Sequence, residues 1–264
     1  RGDGTDFMTR RESILKEIGL APLWRLRERP ALVSPLAPLA ERGEGEGGEG
    51  QRQDHPHPGP LPPAGEGSER SQRIAALGWD ELKAAVADCR DCRLCEQRKQ
   101  AVLGVGDVDA DWLFVGEGPG ADEDERGEPF VGQAGQLLDA MLAAIDLQRG
   151  KKVYIGNVVK CRPPNNRTPE ADEAAACFPY LQRQIALIRP KLIIALGKPA
   201  AQTLLGREVK VGASRGQLFD CSGIPLIVTY HPAYLLRNLE DKAKAWEDLC
   251  LARRTMKELN DVAR

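Results

Sequence analysis

Four cysteines carry the most specific chemistry in this sequence. Cys89 and Cys92 form a C-x-x-C pair, and Cys161 and Cys177 follow far downstream in KCRPPNN and AACFPY. Two close thiolates plus two distant ones are what a chain supplies when it wraps around a metal ion or an iron–sulfur cluster. Spacing does not decide between zinc and a cluster, since four thiolates suit both. Cys95 extends the pair to C-x-x-C-x-x-C and gives one thiol more than a four-ligand site needs, so it is either a bystander or a replacement ligand. Cys221 and Cys250 fall in a hairpin and a helix pattern and read as structural. A site of this kind clamps the start of the folded region onto its middle.

A second group of residues suggests a pocket. Glu117 lies in the loop GEGPGA (116–121), which fits G-x-G-x-x-A after a strand. A dinucleotide site is not expected: Pro119 interrupts the loop, a helix is not expected to start cleanly from it, and no acidic residue ends a second strand about 20 residues on. What remains is a tight turn, or a backbone brought close to a ligand with Glu117 and Gly118 beside it. Phe130, between glycines in GEPFVGQAG, is either a satellite-core residue or the floor on which a flat ligand stacks, a contact worth roughly 1–3 kcal/mol for a base. Asn157 interrupts the apolar run YIGNVV. A buried amide there needs partners, either backbone groups or a ligand edge with adjacent donor and acceptor. His231 opens HPAYLLR and is the sole histidine beyond residue 57. It is either a buried histidine before a packed helix or a cleft group. In the second case Leu235 and Leu236 lie in a surface loop, Leu235 as a wedge into a base stack and Arg237 on phosphate.

The elements that must position these groups alternate. DWLFVGE (111–117), KVYIGNVVKC (152–161), KLIIALG (191–197) and PLIVTYHP (225–232) read as strands. WDELKAAVADC, QAGQLLDAMLAAIDL (133–147), PAAQTLLG and a segment from about Asp241 read as helices. The helix in TPEADEAAACFPYLQRQIALIRP is expected to start with Thr168 as N-cap and Pro169 at its first position. A hairpin is expected around Val211–Cys221. Strands alternating with helices imply a parallel sheet covered on both faces. Ligands bind at the carboxyl ends of such strands, where Glu117, Asn157 and His231 fall.

The chain has 264 residues, a net charge of -2 and seven cysteines. Seven cysteines in a cytosolic chain argue for metal or catalysis rather than disulfides. No apolar run approaches the length of a membrane span, and no secretory signal pattern is expected. The near-balanced charge gives no support to nucleic-acid binding, although a locally basic face suffices for it. Residues 1–29 form an N-terminal extension with a short amphipathic helix bearing Ile14, Leu15, Ile18 and Leu20. Residues 30–72, rich in Gly, Glu and Pro, have too little to bury and read as a disordered linker. His55 and His57 belong to it. Residues 73–264 form the globular domain.

Four segments, GEGPG (116–120), EPFVGQAGQLLD (128–139), NVVKCRPPNNRTP (157–169) and HPAYLLRN (231–238), closely resemble the iron–sulfur-containing uracil-DNA glycosylases of bacteria and archaea. The resemblance runs from about Cys89 to the C-terminus and does not cover the linker. It implies a three-layer α/β/α sandwich around a mostly parallel four-stranded sheet. It also implies a [4Fe-4S] cluster, and removal of uracil from single- or double-stranded DNA in base-excision repair by a cytosolic monomer. By motif position the cluster ligands are Cys89, Cys92, Cys161 and Cys177, with Cys95 outside the set. Glu117, Gly118, Phe130, Asn157 and His231 fall in the uracil pocket. The best-known branch of the wider superfamily carries an aspartate one residue after a glutamine to activate water. Here that pair is Glu117–Gly118, so the resemblance passes water positioning to Glu117. Another branch traps DNA through a histidine in a basic insertion, and CRPPNNRTP has neither. Two other classes fit the residues alone: a non-catalytic DNA-binding iron–sulfur protein, distinguished by retention on DNA without uracil release, and a nucleotide-dependent redox protein, disfavoured by the missing fingerprint acid.

Overall fold

The computed structural model describes residues 69–262. The expected N-terminal helix, and the expected linker up to residue 68 with His55 and His57, lie outside the described residues. In chain order the strands are β1 (Val105–Gly106), β2 (Trp112–Gly116), β3 (Val153–Asn157), β4 (Leu192–Leu196), β5 (Leu218–Cys221) and β6 (Ile224–Thr229). The helices are α1 (Glu69–Ala76), α2 (Trp79–Asp88), α3 (Ala121–Arg126), α4 (Gln133–Ala144), α5 (Ala171–Ile188), α6 (Lys198–Leu205), α7 (Val211–Ser214), α8 (Pro232–Leu235) and α9 (Asp241–Val262). None of the described helices is long and apolar enough to cross a membrane.

The strands form one six-stranded sheet in the order β1-β3-β2-β4-β6-β5. The inner four, β3-β2-β4-β6, are parallel. Apart from Ile224 and Pro225 at the start of β6, their residues are buried on both faces, as crossover helices require. Alternation along each strand splits the core in two. Leu113, Val115, Ile193, Ala195, Leu226 and Val228 pack with α1, α2, α5 and α6. Trp112, Phe114, Leu192, Ile194, Leu196 and Ile227 pack with α4 and α9. The result is the three-layer sandwich, with the four parallel strands expected from the sequence at its centre.

Several expectations are corrected. The sheet has six strands because antiparallel edges flank the parallel four. β1 on one side is only two residues long and too short to give a periodic signal, and β5 closes the other side. The hairpin is β5–β6, while Val211–Ser214, expected within it, is a helical turn. Residues 69–72, assigned to the linker, open α1, whose Ile74 is buried in the core. Thr168 is not the cap of α5. Arg167 and Glu170 are extended, so the helix begins at Ala171 with Glu170 as N-cap. The cause is the buried Glu173. It accepts from the Glu170 N–H at 2.8 Å and from both terminal nitrogens of Arg167 at 2.7 and 2.8 Å, fixing the start of the helix two residues late.

Candidate active site

The carboxyl ends of the parallel strands open onto a cleft of about 650 Å³. Glu117 and Gly118 continue β2, Asn157 ends β3, and His231 follows β6; all four line the cleft together with Phe130 and Arg237. The structure therefore brings the sequence-derived pocket residues to one hollow, as expected where ligands bind parallel sheets.

Asn157 is 2 % exposed, and its side-chain Oδ1 has no hydrogen-bond partner among the described residues. Leaving a buried acceptor unmatched costs about 1–3 kcal/mol, so the amide is set up for an incoming donor. Gly116, at the end of β2, makes room for it. A Cβ there would lie 2.5 Å from Asn157 Oδ1 and 2.6 Å from Phe130 Cζ. The glycine therefore admits the two cleft groups rather than a ligand. Gly118 is glycine for another reason: its Cβ would strike Val159 Cγ2 at 2.7 Å.

Phe130 sits between α3 and α4 with φ +55°, in the left-handed region that non-glycine residues seldom adopt. Its ring contacts that of His231, with centroids 5.4 Å apart and planes inclined by 29°. His231 is the N-cap of α8, and its Nδ1 accepts from the Ala233 N–H at 3.1 Å. Burial, helped by the nearby Arg237 charge, pulls its pKa down to about 4. The ring is neutral at pH 7, and with Nδ1 used as an acceptor its proton is on Nε2. Burial raises the Glu117 carboxyl above the ordinary range, opposed by a hydrogen bond from the Thr168 side chain.

Leu235 is corrected. It is 1 % exposed and packed between α4 and α9 against Leu137, Met141 and Leu249, so it is a core residue and not a free wedge. Its neighbour Leu236 is the exposed one, at 39 %. One turn of helix after the proline sets consecutive leucines about 100° apart, the first inward and the second toward solvent.

Cys89, Cys92, Cys161 and Cys177 line one narrow void, with Arg98, Lys160 and Tyr180. They come from the end of α2, the loop after it, the exit of β3 and the middle of α5. Cys95 lines a different, open cleft. All are free thiols. Arg98 Nη1 donates to Cys161 Sγ at 2.8 Å and the Lys160 N–H to Cys177 Sγ at 3.3 Å. Burial raises Cys161 and pushes Cys177 up to about 12. Among the described residues no three metal-ligating side chains stand close enough together to hold a single ion. The void and the cleft are linked: buried Lys160, beside Cys161, donates from Nζ to the Asn157 carbonyl at 2.7 Å.

A sequence model of the Uracil DNA glycosylase superfamily matches residues 103–250, more than half of the chain. The chain belongs to this superfamily. It is 44% identical over 179 residues to the Type-4 uracil-DNA glycosylase of Pyrobaculum aerophilum, an alignment covering 65% of this chain and 91% of that one. It is 46% identical over 161 residues to the Type-4 enzyme of Thermotoga maritima, covering 60% and 83%. The Type-5 uracil-DNA glycosylase of Pyrobaculum aerophilum is 30% identical over 146 residues, covering 49% and 64%. The superfamily span contains Glu117, Gly118, Phe130, Asn157, His231 and Arg237, and also Cys161 and Cys177; Cys89 and Cys92 precede it.

Several cleft residues carry little signal in the sequence pattern. Thr168, expected as a helix cap, lines the cleft and draws the Glu117 carboxyl down against the effect of burial. Lys198 puts positive charge on the rim, and Arg167 stands there paired with Glu173. Tyr230 and Tyr234 also line it, with rings stacked at 5.0 Å. Tyr230 immediately precedes His231 and Tyr234 follows it by three, a separation of four between the tyrosines that helical periodicity could have paired; the lysine and arginine are brought in only by the tertiary fold.

Proposed function

We propose that this chain hydrolyses the N-glycosidic bond of uracil in single- or double-stranded DNA, opening base-excision repair. One observation carries the reading: a buried, unpartnered amide oxygen on Asn157 in a cleft that also holds Phe130 and a neutral His231. A base must leave the duplex to reach such a cleft. Exposed Leu236 fills the gap it leaves, while Arg237 and Lys198 face phosphates.

Uracil stacks on Phe130. That ring already contacts His231, so a third ring cannot enter between them, and the base meets the imidazole at its edge. Asn157 Oδ1 accepts from uracil N3–H and the amide nitrogen donates to O4. Cytosine offers an acceptor at N3 and a donor at N4, the reverse at both positions, and a site built to bond one pattern rejects the other strongly. When C1′–N1 breaks, the bonding pair leaves with the base and charge collects on O2, while the sugar becomes cationic. The Nε2–H of His231 donates to O2, a kind of stabilisation worth about 3–4 kcal/mol. Water held by Glu117 adds to C1′ and passes its proton to the carboxylate, which a raised pKa makes the better acceptor. The departing uracil anion takes a proton from solvent and the Glu117 carboxyl gives one back to solvent, leaving free uracil, an abasic sugar and the carboxylate restored.

The four cysteines suit a [4Fe-4S] cluster better than zinc: they surround one void, two of them, Cys161 and Cys177, receive N–H donors at sulfur, and they stand wider than a single ion requires. Bound there, such a group supplies a cross-link among α2, β3 and α5 and a one-electron couple. No step above uses it.

The test is release of free uracil from U·G, U·A and single-stranded oligonucleotides without added metal. Release from at least one substrate supports the reading. Folded, iron-containing protein that frees none from any of them overturns it.

A further inference from the structure

We propose that Arg149 is a positioning residue for this reaction: it holds the loop that sets the Phe130 ring in the cleft. The inference rests on the uracil-excision reading. Phe130 needs holding, because its φ of +55° is one a phenylalanine leaves unless its surroundings over-determine it.

The surroundings come from two directions. Arg149 Nη1 donates to the Pro129 carbonyl at 2.9 Å, and Nη2 to the Phe130 carbonyl at 2.9 Å. Its Nε donates to Asp139 on α4 at 3.0 Å. One planar fork thus ties two successive carbonyls of the strained loop to the helix that follows it. Gly135 meets the same carbonyl from the other side: a Cβ there would lie 1.7 Å from Phe130 O, so only glycine lets α4 come this close. Arg149 is itself fixed at the tip of a tight turn, in which the Lys151 N–H donates to the Gln148 carbonyl at 3.1 Å and Gly150 has φ +77°. The residue lies behind the loop and is not part of the cleft lining. It therefore reaches the base only through Phe130. A lysine has the charge for Asp139 but no fork, and serves one carbonyl at most.

A double-mutant cycle tests this. Arg149→Met and Arg149→Lys are made in the wild-type and the Phe130→Leu backgrounds, and kcat and KM are measured in single turnover on a U·G duplex. Arg149→Met is expected to lower kcat by about 10²-fold, the effect of misplacing a reacting group by about 1 Å. KM for DNA should move by less than about twofold, within the scatter of independent sites. Arg149→Lys should be milder. In the Phe130→Leu background Arg149→Met should cost less than about a further twofold. The same proportional loss in both backgrounds, or a loss confined to KM, overturns the proposal. If Arg149→Met does not fold, Arg149→Lys carries the same cycle. Wild-type protein that releases no uracil sinks the functional reading instead; active wild type with an equally active Arg149→Met sinks this one.

Discussion

The backbone N–H of Ala233 donates to Nδ1 of His231 at 3.1 Å, and this single bond selects the ring nitrogen that carries the proton. The bond exists because Pro232 starts α8 and makes His231 its cap. A capping acceptor and a charged imidazole exclude each other, since the cation has no free lone pair. The same contact thus fixes the tautomer and opposes protonation.

His231 should remain neutral down to about pH 4. NMR of the imidazole should show the Nε2–H tautomer at pH 7 and no titration near 6.5, with the signal assigned by its absence in His231→Gln. The folded pKa is below the unfolded value, so between about pH 6.5 and 4 the unfolded chain binds a proton that the folded one does not. Stability attributable to this group therefore falls as pH drops across that window, and His231→Gln should flatten the slope in denaturant titrations. In His231→Ala, loss of the O2 donor should lower single-turnover kcat by about 10²–10³.

Glu117 should set the acid limb of the reaction. Its carboxyl titrates above the ordinary carboxylate range, and the water-holding form is the ionised one. Activity should fall as pH drops through that raised pKa, before His231 begins to protonate. In Glu117→Gln the rate should be lower by about 10²-fold or more and the limb should vanish. An unchanged limb in the variant would assign it to another group.

Loss of a ligand should separate the cysteines. Cys161→Ala and Cys177→Ala protein should purify with depleted iron and acid-labile sulfide and without visible absorbance, and should unfold at lower denaturant. Cys95→Ala should keep its iron and its activity, because its thiol faces another cleft. Equal iron loss in all three would overturn the ligand set.

The parallel strands were legible because each is a short apolar run bounded by glycine or a polar residue, and their order placed Glu117, Asn157 and His231 at one edge. Leu235 is expected in a surface loop because HPAYLLR is too short for a periodic pattern: whether the first or the second leucine faces inward depends on α8 starting at Pro232. Thr168 has the residue type of a cap and Pro169 follows it, but the pull of Arg167 on buried Glu173 sets the helix start at Ala171. Arg149 was invisible for a different reason. Its partners are two backbone carbonyls about twenty residues away, and side-chain pattern says nothing about where a carbonyl points.

The central claim is that Asn157 reads uracil's N3 edge above the ring of Phe130, and a crystal structure with bound uracil tests it most directly. The account predicts N3 at about 2.9 Å from Asn157 Oδ1, the base lying on Phe130 and O2 directed at His231 Nε2. Uracil seated elsewhere in the cleft, or turned so that no ring nitrogen meets the amide, would contradict it.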